Sequence, residues 1–106
     1  MSLKWPSKDP DETLDFSIDW SRFLEGRFIS SGTWYFYDAN GVKTQVSDGN
    51  TVDGLTSGAQ YSTTTVTTIV LSNGTRNKDY RVGCAIVFGD GLVAERTVRI
   101  RIRDGS

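Results

Sequence analysis

Leu14-Asp15-Phe16-Ser17-Ile18-Asp19-Trp20 alternates apolar and polar residues without a break. Successive side chains of an extended strand point to opposite faces. Leu14, Phe16, Ile18 and Trp20 therefore share one face, and Asp15, Ser17 and Asp19 share the other. The stretch predicts a half-buried β-strand close to the start of the chain. An acidic, proline-marked lead-in, Lys8-Asp9-Pro10-Asp11-Glu12, runs straight into it.

The same period returns at the other end. Tyr80, Val82, Cys84, Ile86 and Phe88 alternate with other residues, and Gly89-Asp90-Gly91 turns the chain. Val98, Ile100 and Ile102 then alternate with Arg99, Arg101 and Arg103. This pair predicts two long antiparallel strands across a tight glycine turn. Between the two ends no long segment has helical period, and Gly, Asn, Asp and Ser punctuate the chain at short intervals, as in an all-β sandwich or barrel. Ser21 to Gly26 reads as one helical turn or a corner, with Ser21 as cap and Gly26 as stop. Residues 27–31 and 33–38 form an interrupted strand pair or one kinked strand. Asn40-Gly41 favours a hairpin turn because it tolerates positive φ, and residues 42–46 follow as a short strand. Residues 47–62 are rich in Gly, Asp, Asn, Ser and Thr, which predicts a loop with a brief strand near 51–55. Residues 63–71, dense in β-branched side chains, predict another strand, and residues 72–78 a polar loop.

About seven strands with a closing hairpin predict an all-β fold, a single immunoglobulin-like β-sandwich of antiparallel strands. We divide the chain into an extended N-terminal arm, residues 1–11, and the sandwich, residues 12–106. Tyr80, near the start of the penultimate strand, is placed to hydrogen-bond back to the preceding corner; an ordinary strand tyrosine is the alternative.

The chain has 106 residues, which suits one domain with one core. Its formal net charge of −1 provides no global field for nucleic acid or an anionic membrane. The charge is uneven: residues 1–53 hold nine acids and five bases, residues 54–106 four acids and seven bases. The one cysteine, Cys84, cannot form an internal disulfide or a zinc site alone. No apolar run approaches a membrane span. The N-terminus lacks a hydrophobic signal region, which argues against secretion through a cleaved signal. Asn73-Gly74-Thr75 matches a glycosylation sequon and reads as a turn.

Catalytic chemistry finds little support. There is no histidine, the commonest general base and metal ligand. Cys84 has no imidazole partner and sits in an apolar row, as a buried small hydrophobe does. Asp15 and Asp19 share a strand face, and glycosidases use carboxylate pairs, but a solvated or ion-paired face is the commoner arrangement. Asp48-Gly49-Asn50 with Asp53 lacks the spacing and closing glutamate of an EF-hand. No catalytic residue, cofactor or metal site is expected. The acidic row Asp15 and Asp19 is instead complementary to the arginine row Arg99, Arg101 and Arg103. In immunoglobulin-like folds the first strand lies near the last, so the rows could meet within one chain or between neighbours. Trp5 precedes Pro6 in a segment without strand pattern. Together with Leu3 it could anchor in a neighbour's groove; equally, Trp5 could pack on its own domain. Trp20 and Trp34 fall in phase with apolar rows and read as core.

The lead-in Lys8-Asp9-Pro10-Asp11-Glu12, the strand Leu14 to Ser21, then Leu24, Ile29-Ser30-Ser31 and Trp34 together resemble a family of small tailed-bacteriophage structural proteins. These are of the head–tail connector and fibre-tail adaptor type. The late pattern Tyr80-x-Val82, a glycine turn and Arg96 before an alternating strand is also similar. The chain departs from the pattern at Glu25-Gly26-Arg27-Phe28, where family members show Gly-Asp before the isoleucine. The resemblance implies a non-enzymatic virion component with an immunoglobulin-like fold. It would be a multi-copy adaptor at the portal, head–tail or tail–fibre junction, made in the host cytoplasm during assembly. Its partners would be other virion proteins and copies of itself in a ring, without direct nucleic-acid or membrane contact. The residues expected to carry contacts are Leu3, Trp5, Asp15, Asp19, Arg99, Arg101 and Arg103. Removing residues 1–10 would then impair assembly and leave the sandwich folded. The alternative is a carbohydrate- or receptor-binding β-sandwich module that stacks aromatic rings on sugars.

Overall fold

A computed structural model describes residues 3–103, with Leu3 described by its backbone alone. Ten elements follow in order: β1 (Leu3–Lys4), β2 (Leu14–Asp19), α1 (Ser21–Leu24), β3 (Ile29–Tyr37), β4 (Lys43–Val46), β5 (Thr51–Val52), β6 (Leu55–Ser62), β7 (Val66–Asn73), β8 (Asp79–Phe88) and β9 (Val93–Arg101). They build two sheets, ordered β1-β9-β8-β3-β4 and β2-β7-β6-β5. Every neighbouring pair is antiparallel except β1 with β9. The second, seventh and sixth strands face the third, eighth and ninth, which is the immunoglobulin-like arrangement.

Period-2 alternation explains the strongest elements. In β2, Phe16 and Ile18 point inward and Asp15, Ser17 and Asp19 outward. Leu14 is 39% exposed, so the expected inward row begins at Phe16. β8 buries Tyr80, Val82, Cys84, Ile86 and Phe88 as its alternation predicts. Trp34 on β3 and Trp20 after β2 fill the centre, each 2% exposed. The Trp20 indole donates to Thr67 Oγ1 at 2.9 Å, so its polar atom stays bonded inside. Among the described residues no buried side-chain nitrogen or oxygen lacks a partner.

Within residues 27–38 there is one strand, β3 (Ile29–Tyr37), with a register shift between Ile29 and Ser31 that accounts for the interrupted pattern. The corner expected at 21–26 is α1. Its cap is Trp20 rather than Ser21, and the left-handed residues Glu25 and Gly26 end it.

The polar stretch 47–62 departs from expectation. Instead of a loop with one short strand it contains β5 and the eight-residue β6. β6 reads poorly because only Leu55 and Ser57 on it are buried, and it is held by backbone pairing with β7. Its register shifts between Ser57 and Gln60, where a Cβ on Gly58 would stand 3.1 Å from Val70. Gln60 Nε2 donates to Val46 O at 2.9 Å and so ties this sheet to β4 of the other. The strand expected from residue 63 begins only at Val66, because the Thr63 hydroxyl accepts the Val66 N–H in the β6–β7 turn.

Tyr80 closes a corner. Its hydroxyl donates to Asp53 O at 2.7 Å and accepts the Thr75 N–H at 2.8 Å.

From Leu3 to Lys8 the chain runs along the edge of the five-stranded sheet. β1 pairs in parallel with β9. Beyond it, Trp5 N donates to Arg99 O and Lys8 N to Arg101 O, and Arg103 N donates to Lys8 O. Lys8 is fully enclosed, and its ammonium donates to Asp9 O at 2.8 Å and Asn73 O at 2.7 Å. Burial lowers its pKa, opposed by the carboxylates of Glu12, Asp9 and Asp11.

Candidate partner-binding surfaces

Strand parity decides where each expected contact residue points. Arg99 and Arg101 stand on the outer face of the five-stranded sheet. Lys4 is opposite Arg99, Arg81 is opposite it on the other side, and Lys43 lies on β4. Lys4, Arg99 and Arg101 line a shallow recess of about 210 Å³. On this face Lys43 pairs with Glu95 at 2.5 Å, and Arg101 with Asp79 at 3.1 Å. Arg81 stacks on Tyr37, 5.0 Å from its ring centroid, with Gly83 opposite Tyr35 leaving room for the ring of Tyr37. Arg103 follows β9 and is exposed.

Asp15 and Asp19 lie on the outer face of the other sheet. Ser17, Thr68, Val66 and Val70 surround them there, and β2 and β7 bring no lysine or arginine to this face. The two expected rows are therefore not brought together within one chain. β2 and β9 belong to different sheets, and both rows point away from the core between them. Asp19 Oδ1 accepts the Ser21 N–H at 2.9 Å, and that bond holds its carboxyl below the ordinary value.

Trp5 takes the own-domain alternative. It is 8% exposed, packs 5.1 Å from Phe16 and 6.0 Å from Trp34 between ring centroids, and donates Nε1–H to Ser17 O at 3.0 Å. It closes the side of the sandwich between β1 and β2. A recess of about 240 Å³ remains beside it, lined by Lys4, Ile18, Asp19 and Val98. The backbone of Leu3 pairs with Val98; its side chain lies outside the described residues.

Sequence reading missed the most apolar part of the surface. Phe23, Phe28, Leu92 and Val93 are exposed by 39, 53, 57 and 66%. They gather at the end of the sandwich formed by α1, the loop before β3 and the β8–β9 turn. The available signal was Val93, which breaks the otherwise polar outward row of β9, and Phe28, which stands directly beside inward-facing Ile29.

Among the described residues no group of three or more His, Cys, Asp or Glu could hold a metal ion. Cys84 is enclosed, and burial pushes its thiol up to about 11. All three tryptophans are buried, so none offers an indole face to a sugar.

A comparison with curated proteins returns no match. A family model described as podophage GP4 fiber-tail adaptor protein gp77 matches residues 8–101. The match runs from the enclosed Lys8 through the last residue of β9, and so covers both sheets. The chain belongs to the podophage GP4 fiber-tail adaptor protein gp77 family.

Proposed function

We propose that this protein is a non-enzymatic adaptor at the tail–fibre junction of a podophage, present in several copies side by side. The family match across residues 8–101 carries the reading: members are phage structural adaptors, and their setting is the virion among tail and fibre proteins. The finer statements rest on surface chemistry. An adaptor works through binding faces, and this sandwich has two of different charge. One carries Lys4, Arg81, Arg99 and Arg101, with Arg103 beyond the strand end; the other carries Asp15 and Asp19. They point in opposite directions, so one copy cannot satisfy both, whereas a row or ring of copies can. Such a contact is heterologous, and repetition around a tail multiplies weak pairs. Each exposed pair contributes only ~0–1 kcal/mol, so charge chooses the neighbour and its register more than it supplies affinity. Assembly would take place in the host cytoplasm.

Sedimentation of the full chain tests the copy-to-copy contact. Self-association should strengthen at low salt. Arg99→Glu with Arg101→Glu should weaken it, as should Asp15→Lys with Asp19→Lys, and mixing the two variants should restore it. A wild-type chain that remains monomeric at high concentration and low salt, alone and on isolated tails, rules the contact out.

A further inference from the structure

We propose that the loop end of the sandwich is the seat for a second, different virion protein, one that presents carboxylates beside apolar side chains. The proposal rests on the adaptor reading and names the surface that the adaptor function requires besides its own copies. Three observations carry it.

First, the end is apolar where folding does not need it to be. Phe28, Leu92 and Val93 are each more than half exposed, and Phe23 is 39% exposed. Aromatic anchors ringed by arginine are typical of the residues that dominate interface affinity.

Second, the exposed Phe28 is held in place. A Cβ on Gly89 would meet its ring at 2.2 Å, so the absence of a side chain there gives the ring its seat. The Gly89 N–H donates to Phe28 O at 3.0 Å and joins the two loops. An anchor already fixed before binding loses little freedom when a partner arrives.

Third, the guanidinium groups at this end lack acidic partners. Arg27 lies 4.4 Å from the Phe88 ring centroid and Arg96 4.2 Å from that of Phe23; these two rings stack at 6.0 Å. Arg27 Nε donates to Leu24 O, and Arg96 Nη1 to Glu95 O. Most of their donors remain available, and neither group, nor Arg22 on α1, forms an ion pair among the described residues. The carboxylates of Asp19 and Asp90 accept backbone N–H groups of Ser21 and Leu92, and Asp19 feels the charge of Arg22 without a direct ion pair. A flat guanidinium on an aromatic ring with a free edge is a fork for an incoming carboxylate.

The test uses the full chain, tail particles assembled without this protein, and isolated fibre protein from the same phage. Three variants separate the contributions: Phe28→Ser removes the anchor, Arg27→Glu with Arg96→Glu reverses the forks, and Gly89→Ala displaces the Phe28 ring without altering charge or deleting an apolar group. Each should weaken binding to one of the two probes by about tenfold or more, the scale of a hot-spot loss. The arginine variant should also flatten the salt dependence. Thermal unfolding identifies variants that fail to fold. Variants that stay folded and bind both probes like the wild type overturn the seat and leave the adaptor reading standing. A wild-type chain that binds neither probe overturns both. Tip variants that lose only self-association make a second copy the occupant, which also overturns the proposal.

Discussion

Trp5 and Phe28 are both aromatic residues just outside the strands, one after β1 and the other before β3, and the sandwich treats them in opposite ways. Trp5 is 8% exposed, and its indole nitrogen donates to Ser17 O. Phe28 is 53% exposed and rests on a glycine. The surroundings differ in the same sense. Around the N-terminal segment and Tyr80, polar groups are bonded inward: the Lys8 ammonium to two carbonyls, the Tyr80 hydroxyl to Asp53 O and Thr75 N. At the loop end, apolar side chains face solvent, and the guanidinium groups of Arg27 and Arg96 lie on rings without an ion-pair partner among the described residues. The end around Lys8 and Tyr80 is closed by internal hydrogen bonds, whereas the end around Phe28 leaves apolar side chains exposed. Position along the chain does not decide this; what the strand edge leaves open does.

Truncating Trp5 should produce the largest effect. Trp5→Ala opens the side of the sandwich between β1 and β2, and should cost about 3–5 kcal/mol, the range for large aromatic deletions from a core. Denaturant unfolding followed by the remaining tryptophans measures it. Deletion of residues 1–10 should destabilise at least as much, because it also removes Lys8 and the pairing with β9. A stable truncated chain would return the segment to a free arm.

Tyr80→Phe should come next. It leaves Asp53 O and the Thr75 N–H without their partner, at a cost of about 1–3 kcal/mol. A change confined to unfolding rates would show that the corner forms late in folding.

Phe28→Ser should change stability by no more than about 0.5 kcal/mol, as for other surface substitutions. Paired with Trp5→Ala, this sharpens the contrast most directly: one variant unfolds easily, the other folds normally and binds poorly. A large stability loss at Phe28 would place it among the structural aromatics.

The smallest effect should be at Asp19. Its carboxyl is held below the ordinary 3.8 by the Ser21 N–H. A lowered folded pKa gives stability that is present above the unfolded value and is lost as pH falls through the folded one. The unfolding midpoint of the wild type should therefore drop more steeply than that of Asp19→Asn below about pH 4. Parallel curves would show that the Ser21 bond contributes nothing measurable.

Much of the fold is legible in the residues because alternation is local. β2, β8 and β9 declare their inward faces by period 2, whereas the place of Tyr80 at the start of β8 allowed a corner bond or an ordinary strand tyrosine, and the structure shows the corner bond. β6 stays hidden because Leu55 and Ser57 are its only buried residues, so no apolar row marks it; its order comes from β7 beside it. The surface was half legible. Asp15, Asp19, Arg99 and Arg101 were identified as outward-facing rows, but not as rows on opposite faces. That fact depends on which sheet each strand joins. The Phe23, Phe28, Leu92 and Val93 end stayed hidden because apolar residues near turns look like core until their neighbours are known.

The sequence by itself determined an all-β chain, the inward rows of its long strands and a chain without histidine, because side-chain direction along a strand and side-chain chemistry are local properties. Its resemblance to phage structural proteins came from the residues as well. Only the tertiary structure decided that Trp5 packs within its own domain, that the acidic and basic rows face apart, and that one loop end is left apolar. Those depend on which strands become neighbours, and neighbours are chosen by the burial and hydrogen bonding of the whole chain at once.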